Sequence, residues 1–250
     1  MKISIITATY NSSRFIESTY QSIRKQTYTD WEWVVTDDCS ADDTYDLLLN
    51  ISANDSRVKI FRLERNSGAA VARNNSIDNA EGEYLAFLDS DDEWHDKKIS
   101  TQYEIMTNKG LDFTFTAYEV ISEHGAQLHL TVDTKNAGFF SYKDMLKKKA
   151  TLGCSTVMLK SSLLSGLRMP LLRTGQDYAF WLAILKLGTQ AYCIDTPLTL
   201  YRISAGSISR NKFKKAKRQW KIYRELEKLP LFYAIECFCY YAVRAVFRRS

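Results

Sequence analysis

Apolar runs alternate with amphipathic stretches along the first hundred residues of the chain. Four runs rich in β-branched and aromatic residues predict strands at 3–9, 31–36, 58–63 and 84–88. The stretches between them predict helices at 14–26, 43–51 and 68–80. Strands that alternate with helices are typical of βαβ units. We therefore expect an α/β fold of the Rossmann-like type, with a mostly parallel sheet flanked by helices.

The pattern is weaker in the second half of the chain. Two strands and one amphipathic helix are predicted there, at 113–120, 156–159 and 177–187. Residues 212–229 predict a basic helix, and residues 231–247 are apolar apart from two charged residues. The α/β part is therefore expected to end in a helical tail.

The composition indicates a globular protein with a charged tail. Hydrophobic residues make up 45% of the 250 residues and charged residues 25%, which argues against a disordered chain. The net charge is +5, but residues 212–250 hold 11 Lys/Arg against 3 Asp/Glu, so the remainder is mildly acidic. This asymmetry favours binding to nucleic acid or to an anionic membrane surface.

The cysteines and the N-terminus indicate a reducing compartment. The five cysteines are scattered, odd in number and without a C-x-x-C pair, so neither a disulfide framework nor a zinc site is expected. The apolar run that follows Met1 and Lys2 is too short for the core of a signal peptide. We expect the active part of the chain to stay in the cytoplasm.

Two of the predicted strands end in aspartates, and open α/β sheets bind ligands at the carboxyl ends of their strands. Asp89 and Asp91 are two residues apart on extended chain, so their carboxylates can converge on Mg²⁺ or Mn²⁺. Such an ion would neutralise a departing diphosphate. For an isolated D-x-D, a solvated acidic loop that caps the following helix is the simpler interpretation.

Three more segments carry groups suited to binding a base or a phosphate, or to acid–base chemistry. Asp38 can accept the N–H of a uracil ring, or it can cap a helix together with Ser40. Arg73, in the small-residue helix, can contact a diphosphate or lie exposed on a packed helix. Asp177 begins an amphipathic helix, where it can act as a general base or stabilise the helix N-terminus.

In this order the segments resemble glycosyltransferase family 2, over residues 1–210. The matching segments are Ile3–Asn11, Asp37–Ser40, Gly68–Asn74, Ala80–Tyr84, Asp89–Asp91 and Gly175–Asp177. Ala8, Cys39 and Gln176 stand where proline, glycine and glutamate are common in the family. We interpret the replacement of proline by Ala8 as harmless, because the backbone rather than the side chain is expected to contact the ligand at this position.

The resemblance implies a GT-A fold and an inverting, metal-dependent transferase with a defined set of site residues. Ala8, Tyr10 and Asp38 would surround the nucleobase. Arg73 would contact the diphosphate. The carboxylates of the D-x-D motif and of the amphipathic helix would complete the site: Asp89 facing the ribose or the metal, Asp91 ligating Mn²⁺ or Mg²⁺, and Asp177 deprotonating the acceptor hydroxyl.

The resemblance also implies a division of the chain. Residues 1–210 would form the catalytic domain, with the nucleotide sugar bound by 1–100 and the acceptor by 101–210. Residues 211–250 would form a basic amphipathic helical tail.

A narrower group in that family builds bacterial surface polysaccharides such as O-antigen, and residues 201–212, Trp220 and Tyr223-Arg224 resemble it. Its members often add one sugar to a lipid-linked diphosphate, which implies an acceptor of the undecaprenyl-diphosphate type. Because Asp38 suits uracil, we expect a UDP-sugar donor and favour UDP-glucose or UDP-galactose.

Other classes of protein explain less of the sequence. A receiver domain would be about half as long and would carry its acidic pair after the first strand. An NAD dehydrogenase needs a G-x-G-x-x-G turn, whereas the first turn here is Tyr10–Ser13. A nucleic-acid binder would explain residues 212–224 but not the aspartates, so no nucleic-acid partner is expected. The alternative function is a catalytically silent sugar-nucleotide-binding protein or a membrane-associated scaffold.

The tail pattern favours the surface of a membrane. On a helix, Glu236, Tyr240 and Arg244 form one polar stripe, and the other faces are apolar. Residues 231–247 are at the short limit for a bilayer span, so lying in an anionic interface suits them better than crossing it. We expect a peripheral enzyme on the inner face of the cell membrane. The alternative is that this helix packs on the catalytic domain or forms a homodimer contact.

Overall fold

A computed structural model describes residues 1–203 and 212–247. Its strands are β1 Ile3–Thr9, β2 Trp31–Asp37, β3 Val58–Arg62, β4 Tyr84–Phe87, β5 Glu93–Trp94, β6 Phe113–Ser122, β7 Gln127–Val132, β8 Gly138–Phe140, β9 Val157–Lys160 and β10 Ala191–Ile203. Its helices are α1 Ile16–Arg24, α2 Thr44–Asn54, α3 Ala69–Asp78, α4 Lys98–Lys109, α5 Tyr142–Leu146, α6 Gln176–Leu185, α7 Lys212–Lys221 and α8 Leu231–Phe247. Short 3₁₀ turns occur at Cys154–Thr156 and Ser161–Leu163, and a π-helical turn at Ile222–Leu226.

The described strands form one sheet in the order β3-β2-β1-β4-β9-β6-β10-β5, with β7 beside β6 and β8 beside β10. β1 pairs in parallel with β2 and β4, β2 with β3, and β6 with β10. β9 lies antiparallel between β4 and β6, so β6 and β10 run in the same direction as β1 to β4. The carboxyl ends of these six strands therefore meet at one edge of the sheet.

Helices cover both faces of the sheet, as the alternating pattern predicts. On one face, α1, α2 and α4 bury apolar side chains such as Ile16, Leu48 and Ile99 against the strands. On the other face, α3, α5, α6 and α8 form a second apolar cluster that includes Ala70 and Trp181. Burial of this apolar surface holds the helices on the sheet and fixes the strand ends relative to one another.

The sequence pattern predicts the first half better than the second. The four predicted strands are confirmed, and their ends differ by one residue at most. The pattern does not predict α4, although its residues Ile99, Tyr103 and Met106 recur at helical spacing. It also misses β10, because Pro197 interrupts the strand and lies between two register shifts against β6. The basic helix predicted to reach residue 229 is too long, since α7 ends at Lys221 and a π-helical turn follows.

The last helix contributes to the domain core. Ala234 and Cys237 of α8 are fully buried in the same apolar cluster as α6. The ring of Phe238 packs edge-on against Trp220 of α7, with centroids 5.5 Å apart. One face of α8 therefore packs on the α/β domain, as the alternative interpretation expects. Residues 204–211, which carry much of the narrower resemblance and the predicted domain boundary, lie outside the described residues.

A buried carboxylate fixes the start of β1 against the turn before β4. Glu32 accepts hydrogen bonds from Ser4 Oγ (2.5 Å) and from the Glu81 amide (2.7 Å). It also forms ion pairs with Lys2 and Lys59. Burial alone would raise the pKa of Glu32, but these partners outweigh burial and lower it to about 2. Glu32 therefore stays ionised and holds three segments together.

Gly82, in the same turn before β4, leaves no room for a larger side chain. A Cβ atom there would lie 2.5 Å from the Ser4 amide nitrogen and 2.9 Å from the Lys2 carbonyl oxygen. Because these are backbone atoms of a buried strand, we expect Gly82→Ala to lower the free energy of unfolding by about 1–3 kcal/mol in urea titrations. Gly153→Ala is the matched control, since its Cβ would meet the Thr156 methyl group at an ordinary 3.5 Å. Equal losses in the two variants would contradict this account.

Candidate active site

The acidic loop after β4 lies at the carboxyl-end edge of the sheet, where the sequence predicts a ligand site. Asp89 is half-buried, and its amide donates to Ser155 Oγ (3.0 Å) in the 3₁₀ turn before β9. The Asp89 carboxylate forms an ion pair with Arg73 of α3. Ser155 Oγ in turn donates to the buried carboxylate of Asp92 (2.6 Å). One hydroxyl group therefore holds both ends of the loop.

Arg73 connects the acidic loop to the predicted base. Its side chain is buried, and its Nε and Nη1 atoms have no hydrogen-bond partner among the described residues. Burial alone would lower the pKa of Arg73, but nearby Asp89, Cys154 and Asp177 raise it above its ordinary value. Arg73 thus pairs with Asp89 and lies within electrostatic range of Asp177, although the three residues are far apart in the sequence.

Two supports of the acidic loop are not apparent from the sequence, Asp92 and Arg202. Arg202, near the end of β10, donates from its backbone amide to the Asp92 carboxylate (2.8 Å) and from Nε to the Asp91 carbonyl oxygen (2.7 Å). Its Nη1 donates to the carbonyl oxygens of Ser122 and Glu123 at the end of β6. Arg202 therefore ties the loop to the ends of two neighbouring strands.

Asp91 is the member of the loop best suited to bind a cation. Burial, and then the neighbouring Asp89 charge, raise the pKa of Asp91 to about 6. A divalent ion at Asp89 and Asp91 would offset both effects, and Mn²⁺ or Mg²⁺ is commonly held by one or two carboxylates plus substrate phosphates. In residues 1–203 and 212–247, no three His, Cys, Asp or Glu side chains are grouped to bind a metal. Asp89 and Asp91 are the carboxylates that this loop would offer to such an ion.

The residues predicted to surround the nucleobase lie at the ends of β1 and β2. Ala8 is buried in β1, whereas Tyr10 follows β1 and is 47% exposed. Asp38 is buried, and its carboxylate accepts the amides of Ser67 (2.7 Å) and Gly68 (2.8 Å). It thus holds the loop that leads into α3. Each carboxylate oxygen has a second lone pair that can accept a uracil N–H.

Ser40, the other predicted helix cap, instead makes hydrogen bonds to residues at the ends of β1 and β2. Its amide and hydroxyl donate to the buried Asp37 carboxylate, and its Oγ accepts the Asn11 amide (2.9 Å). It therefore joins the ends of β1 and β2. Asp42, with hydrogen bonds from the Thr44 amide (3.1 Å) and hydroxyl, holds the start of α2 instead.

Asp177 lies in the first turn of α6, where its charge also favours the helix N-terminus. The preceding turn depends on Gly175, whose φ of 76° favours glycine. Arg218 of α7 lies against this turn, because a Cβ atom at Gly175 would be 3.0 Å from Arg218 Cδ. The first helix of the tail therefore supports the turn that carries the predicted base.

Comparison with known proteins identifies relatives along the whole chain. The sequence profile of Glycosyl transferase family 2 matches residues 4–164. The chain is 41% identical over 247 residues to Bacillus subtilis TuaG, named as a teichuronic acid biosynthesis glycosyltransferase, and the match covers 99% of this chain and 97% of TuaG. It is 37% identical over 230 residues to Escherichia coli WfgD, covering 92% of this chain and 88% of WfgD. WfgD is named UDP-Glc:alpha-D-GlcNAc-diphosphoundecaprenol beta-1,3-glucosyltransferase.

Solved structures share the fold. S. aureus TarS in complex with UDP-GlcNAc superposes with a TM-score of 0.74 at 23% identity, over 90% of this chain and 65% of that chain. The mannosyltransferase PcManGT from Pyrobaculum calidifontis, in complex with GDP-Man and Mn²⁺, gives a TM-score of 0.67 at 15% identity, over 98% of this chain and 75% of that chain. The fold and the carboxylates at its strand ends define a glycosyltransferase of the GT-A type. Within that class, the chain belongs to glycosyltransferase family 2.

The raised pKa of Asp91 predicts that metal affinity falls at acidic pH. The ion needs the ionised carboxylate, so protons compete as the pH falls through about 6, and affinity then drops by up to about tenfold per pH unit. Titration calorimetry of Mn²⁺ into the protein with UDP-glucose measures this effect, because the diphosphate diester does not titrate near pH 6.

Asp46→Asn provides the control for this titration, since Asp46 is exposed on α2. It should keep the affinity and pH dependence of the wild type, whereas Asp91→Asn should not bind Mn²⁺. An affinity that stays constant from pH 7 to about pH 5 would contradict the assignment of Asp91 as a ligand.

Proposed function

We propose that this enzyme transfers a hexose from a UDP-sugar to a sugar carried on a lipid diphosphate, with inversion at the anomeric carbon, in the synthesis of a bacterial surface polysaccharide such as O-antigen. The names of TuaG and WfgD support a polysaccharide pathway, and the name of WfgD favours UDP-glucose over UDP-galactose as the donor. The observation that carries the proposal is the ion pair of Arg73 with Asp89, within electrostatic range of Asp177. It combines groups suited to a diphosphate with a carboxylate suited to act as a base.

Asp177 is the proposed general base. Its carboxylate would take the proton of the acceptor hydroxyl while that oxygen bonds to the anomeric carbon. The bond from the same carbon to the diphosphate breaks in the same displacement, so the configuration inverts. Cys154 also lies within electrostatic range of Arg73, but burial raises the pKa of its thiol well above the ordinary value. The thiol therefore stays protonated and is unsuited to forming a covalent intermediate.

Arg73 and the acidic loop are proposed to hold the diphosphate. A Mn²⁺ or Mg²⁺ ion bound by Asp89 and Asp91 would supply neutralising charge for the leaving UDP. Arg73 has two N–H groups without a partner in the described part of the chain, and guanidinium N–H groups bind phosphate well. Its ion pair also fixes the Asp89 carboxylate next to the same space.

Asp177→Asn tests the base. The amide keeps the shape but cannot take a proton, so we expect kcat to fall by roughly 10²–10⁴-fold while UDP affinity stays near that of the wild type. The assay follows radiolabelled UDP-glucose into a synthetic lipid-diphosphate acceptor. Glu119→Gln is the matched control, because Glu119 is partly exposed and its carboxylate lies 3.9 Å from His95.

A nearly normal kcat in Asp177→Asn, with a large loss in Glu119→Gln, would move the base to Glu119. A wild-type protein that binds UDP-glucose but neither hydrolyses nor transfers it would support the silent sugar-nucleotide-binding alternative.

Ala8, Tyr10 and Asp38 are proposed to bind the nucleobase. Asp38→Asn keeps an acceptor oxygen for one of the two loop amides and replaces the other oxygen, and the charge, by an NH2 group. A hydrogen bond to a charged group is worth about 1.5–3 kcal/mol, so UDP affinity should fall by roughly 10–100-fold. CDP affinity should fall less, because cytosine presents an acceptor where uracil presents an N–H. Asp43→Asn, on the exposed loop before α2, is the control, and calorimetry showing unchanged UDP affinity in Asp38→Asn would leave Asp38 with a structural role alone.

We propose that residues 1–210 form the catalytic domain, with the donor bound by 1–100 and the acceptor by 101–210. Residues 211–250 would attach the enzyme peripherally to the anionic inner face of the cell membrane, in the cytoplasm. Within the described ranges, no helix is long and apolar enough to cross a bilayer. The acceptor in the name of WfgD is a membrane lipid, which supports a site of action at the membrane surface.

A further inference from the structure

Helix α8 has an inner and an outer face. Ala234 and Cys237 are buried against the domain, and Phe238 packs on Trp220. The outer face consists of Leu231, Phe232, Ile235, Cys239, Ala242 and Val243. All six are exposed, and at helical spacing they fall within an arc of about 120°. Phe232 is 85% exposed, which is unusual for so large an apolar side chain unless something covers it.

The polar stripe predicted from the sequence is partly exposed and also contacts the domain, since the Glu236 side chain is 47% exposed and Tyr240 is 46% exposed. Glu236 forms an ion pair with Lys147 at 2.6 Å, and Arg244 donates to the Lys148 carbonyl oxygen at 2.9 Å. The Lys147 ammonium also lies 5.0 Å from the centre of the Tyr240 ring. The stripe therefore contacts the segment after α5, and the apolar outer face is left exposed.

Basic segments border the outer face on both sides. Along one edge is the segment of Lys147, Lys148 and Lys149, which contacts the polar stripe; Lys147 pairs with Glu236 and Lys149 with Asp144, so one positive charge is in excess. Along the other edge is α7, which packs on α8 through Trp220 and whose described side chains include Lys217 and Lys221. An exposed apolar strip between two basic borders matches the chemistry of a membrane with anionic headgroups.

We propose that the outer face of α8 docks the enzyme onto an anionic lipid surface, with its apolar side chains among the upper acyl chains and the basic borders at the headgroups. This inference rests on the proposed function, since a lipid-linked acceptor requires the enzyme to work at a membrane. A second copy of the chain fits less well, because a symmetric contact through this face would bring the basic borders of two molecules together.

Helix α8 is also connected to the candidate active site, through α7. Helix α7 contacts both α8 and the turn before Asp177, through Trp220 and Arg218 respectively. Helix α7 would therefore link the lipid-bound α8 to the turn that carries the proposed base. Removing α8 altogether is a poor test, because Ala234 and Cys237 would leave a hole in the core.

The test is flotation of the full chain with phosphatidylglycerol-containing vesicles at low salt. Phe232→Ser combined with Ile235→Ser should reduce the floating fraction by about tenfold or more, because these exposed side chains supply much of the apolar contact. Leu49→Ser combined with Leu130→Ser is the matched control. These leucines are 45% and 57% exposed on α2 and β7, outside the tail and outside the turn before Asp177, so their loss should leave flotation unchanged.

The outcomes separate this inference from the proposed function. Outer-face variants should keep the wild-type rate of transfer to a short-chain, water-soluble acceptor and lose rate on a long-chain acceptor in vesicles. Flotation that depends on the outer face supports the docking proposal even if no sugar is transferred, an outcome that would overturn the proposed function. A wild-type protein that transfers sugar but does not float overturns the docking proposal. The docking proposal is also overturned if light scattering shows that the wild-type protein is a dimer and the outer-face variants are monomers, because the outer face would then be a dimer contact.

Discussion

The carboxylates of Asp89, Asp91 and Asp92 lie together in the loop after β4, where they repel one another. The neighbouring groups of the site offset this repulsion. Arg73 compensates Asp89 by an ion pair. Ser155 and the Arg202 amide donate hydrogen bonds to Asp92, whose pKa is raised well above its ordinary value by burial and by its acidic neighbours. Asp91 keeps a pKa of about 6, which a bound cation would lower. A cation bound beside Asp91 would therefore relieve part of the repulsion that remains in the loop.

The repulsion between these carboxylates explains why residues from the second half of the chain are needed to support a loop that belongs to the first half. The groups that hold the loop come from the turn before β9 and from β10, and Arg202 further ties the loop to the end of β6. The antiparallel strand β9 makes this possible, because it returns the chain so that β6 and β10 end at the same edge as β4. The tail then adds support from outside, since α7 packs against the turn that precedes Asp177.

Much of the first half could be predicted from the sequence because each feature there is local. Buried runs define the strands, and a strand that ends in aspartates indicates a ligand site at that edge. The long-range partners could not be predicted in this way. No local pattern shows that Arg73 pairs with Asp89 or that Ser155 meets Asp92. A weak signal existed for Arg202, which lies in the segment that resembles polysaccharide transferases, but its contacts depend on a strand that Pro197 obscures.

The orientation of helix α8 on the domain could not be predicted from the sequence either. Its helical spacing defines a polar stripe and an apolar arc correctly, but spacing alone does not say which of them meets the domain. In the structure the stripe contacts Lys147, Ala234 and Cys237 are buried, and the remaining apolar arc is exposed together with part of the stripe. Orientation of an amphipathic helix is decided by its tertiary partners, which here are α6, α7 and the segment after α5.

The central claim is a single displacement at the anomeric carbon, driven by a carboxylate base beside a diphosphate site. It is tested most directly by proton NMR of the product formed from UDP-α-glucose on a water-soluble GlcNAc-diphosphate acceptor, recorded early in the reaction. The account predicts a newly formed β-linkage, with the large anomeric coupling constant of two axial protons. An α-linked product would require a covalent intermediate or front-side attack, and it would contradict the assignment of Asp177 as a base acting in one inverting step.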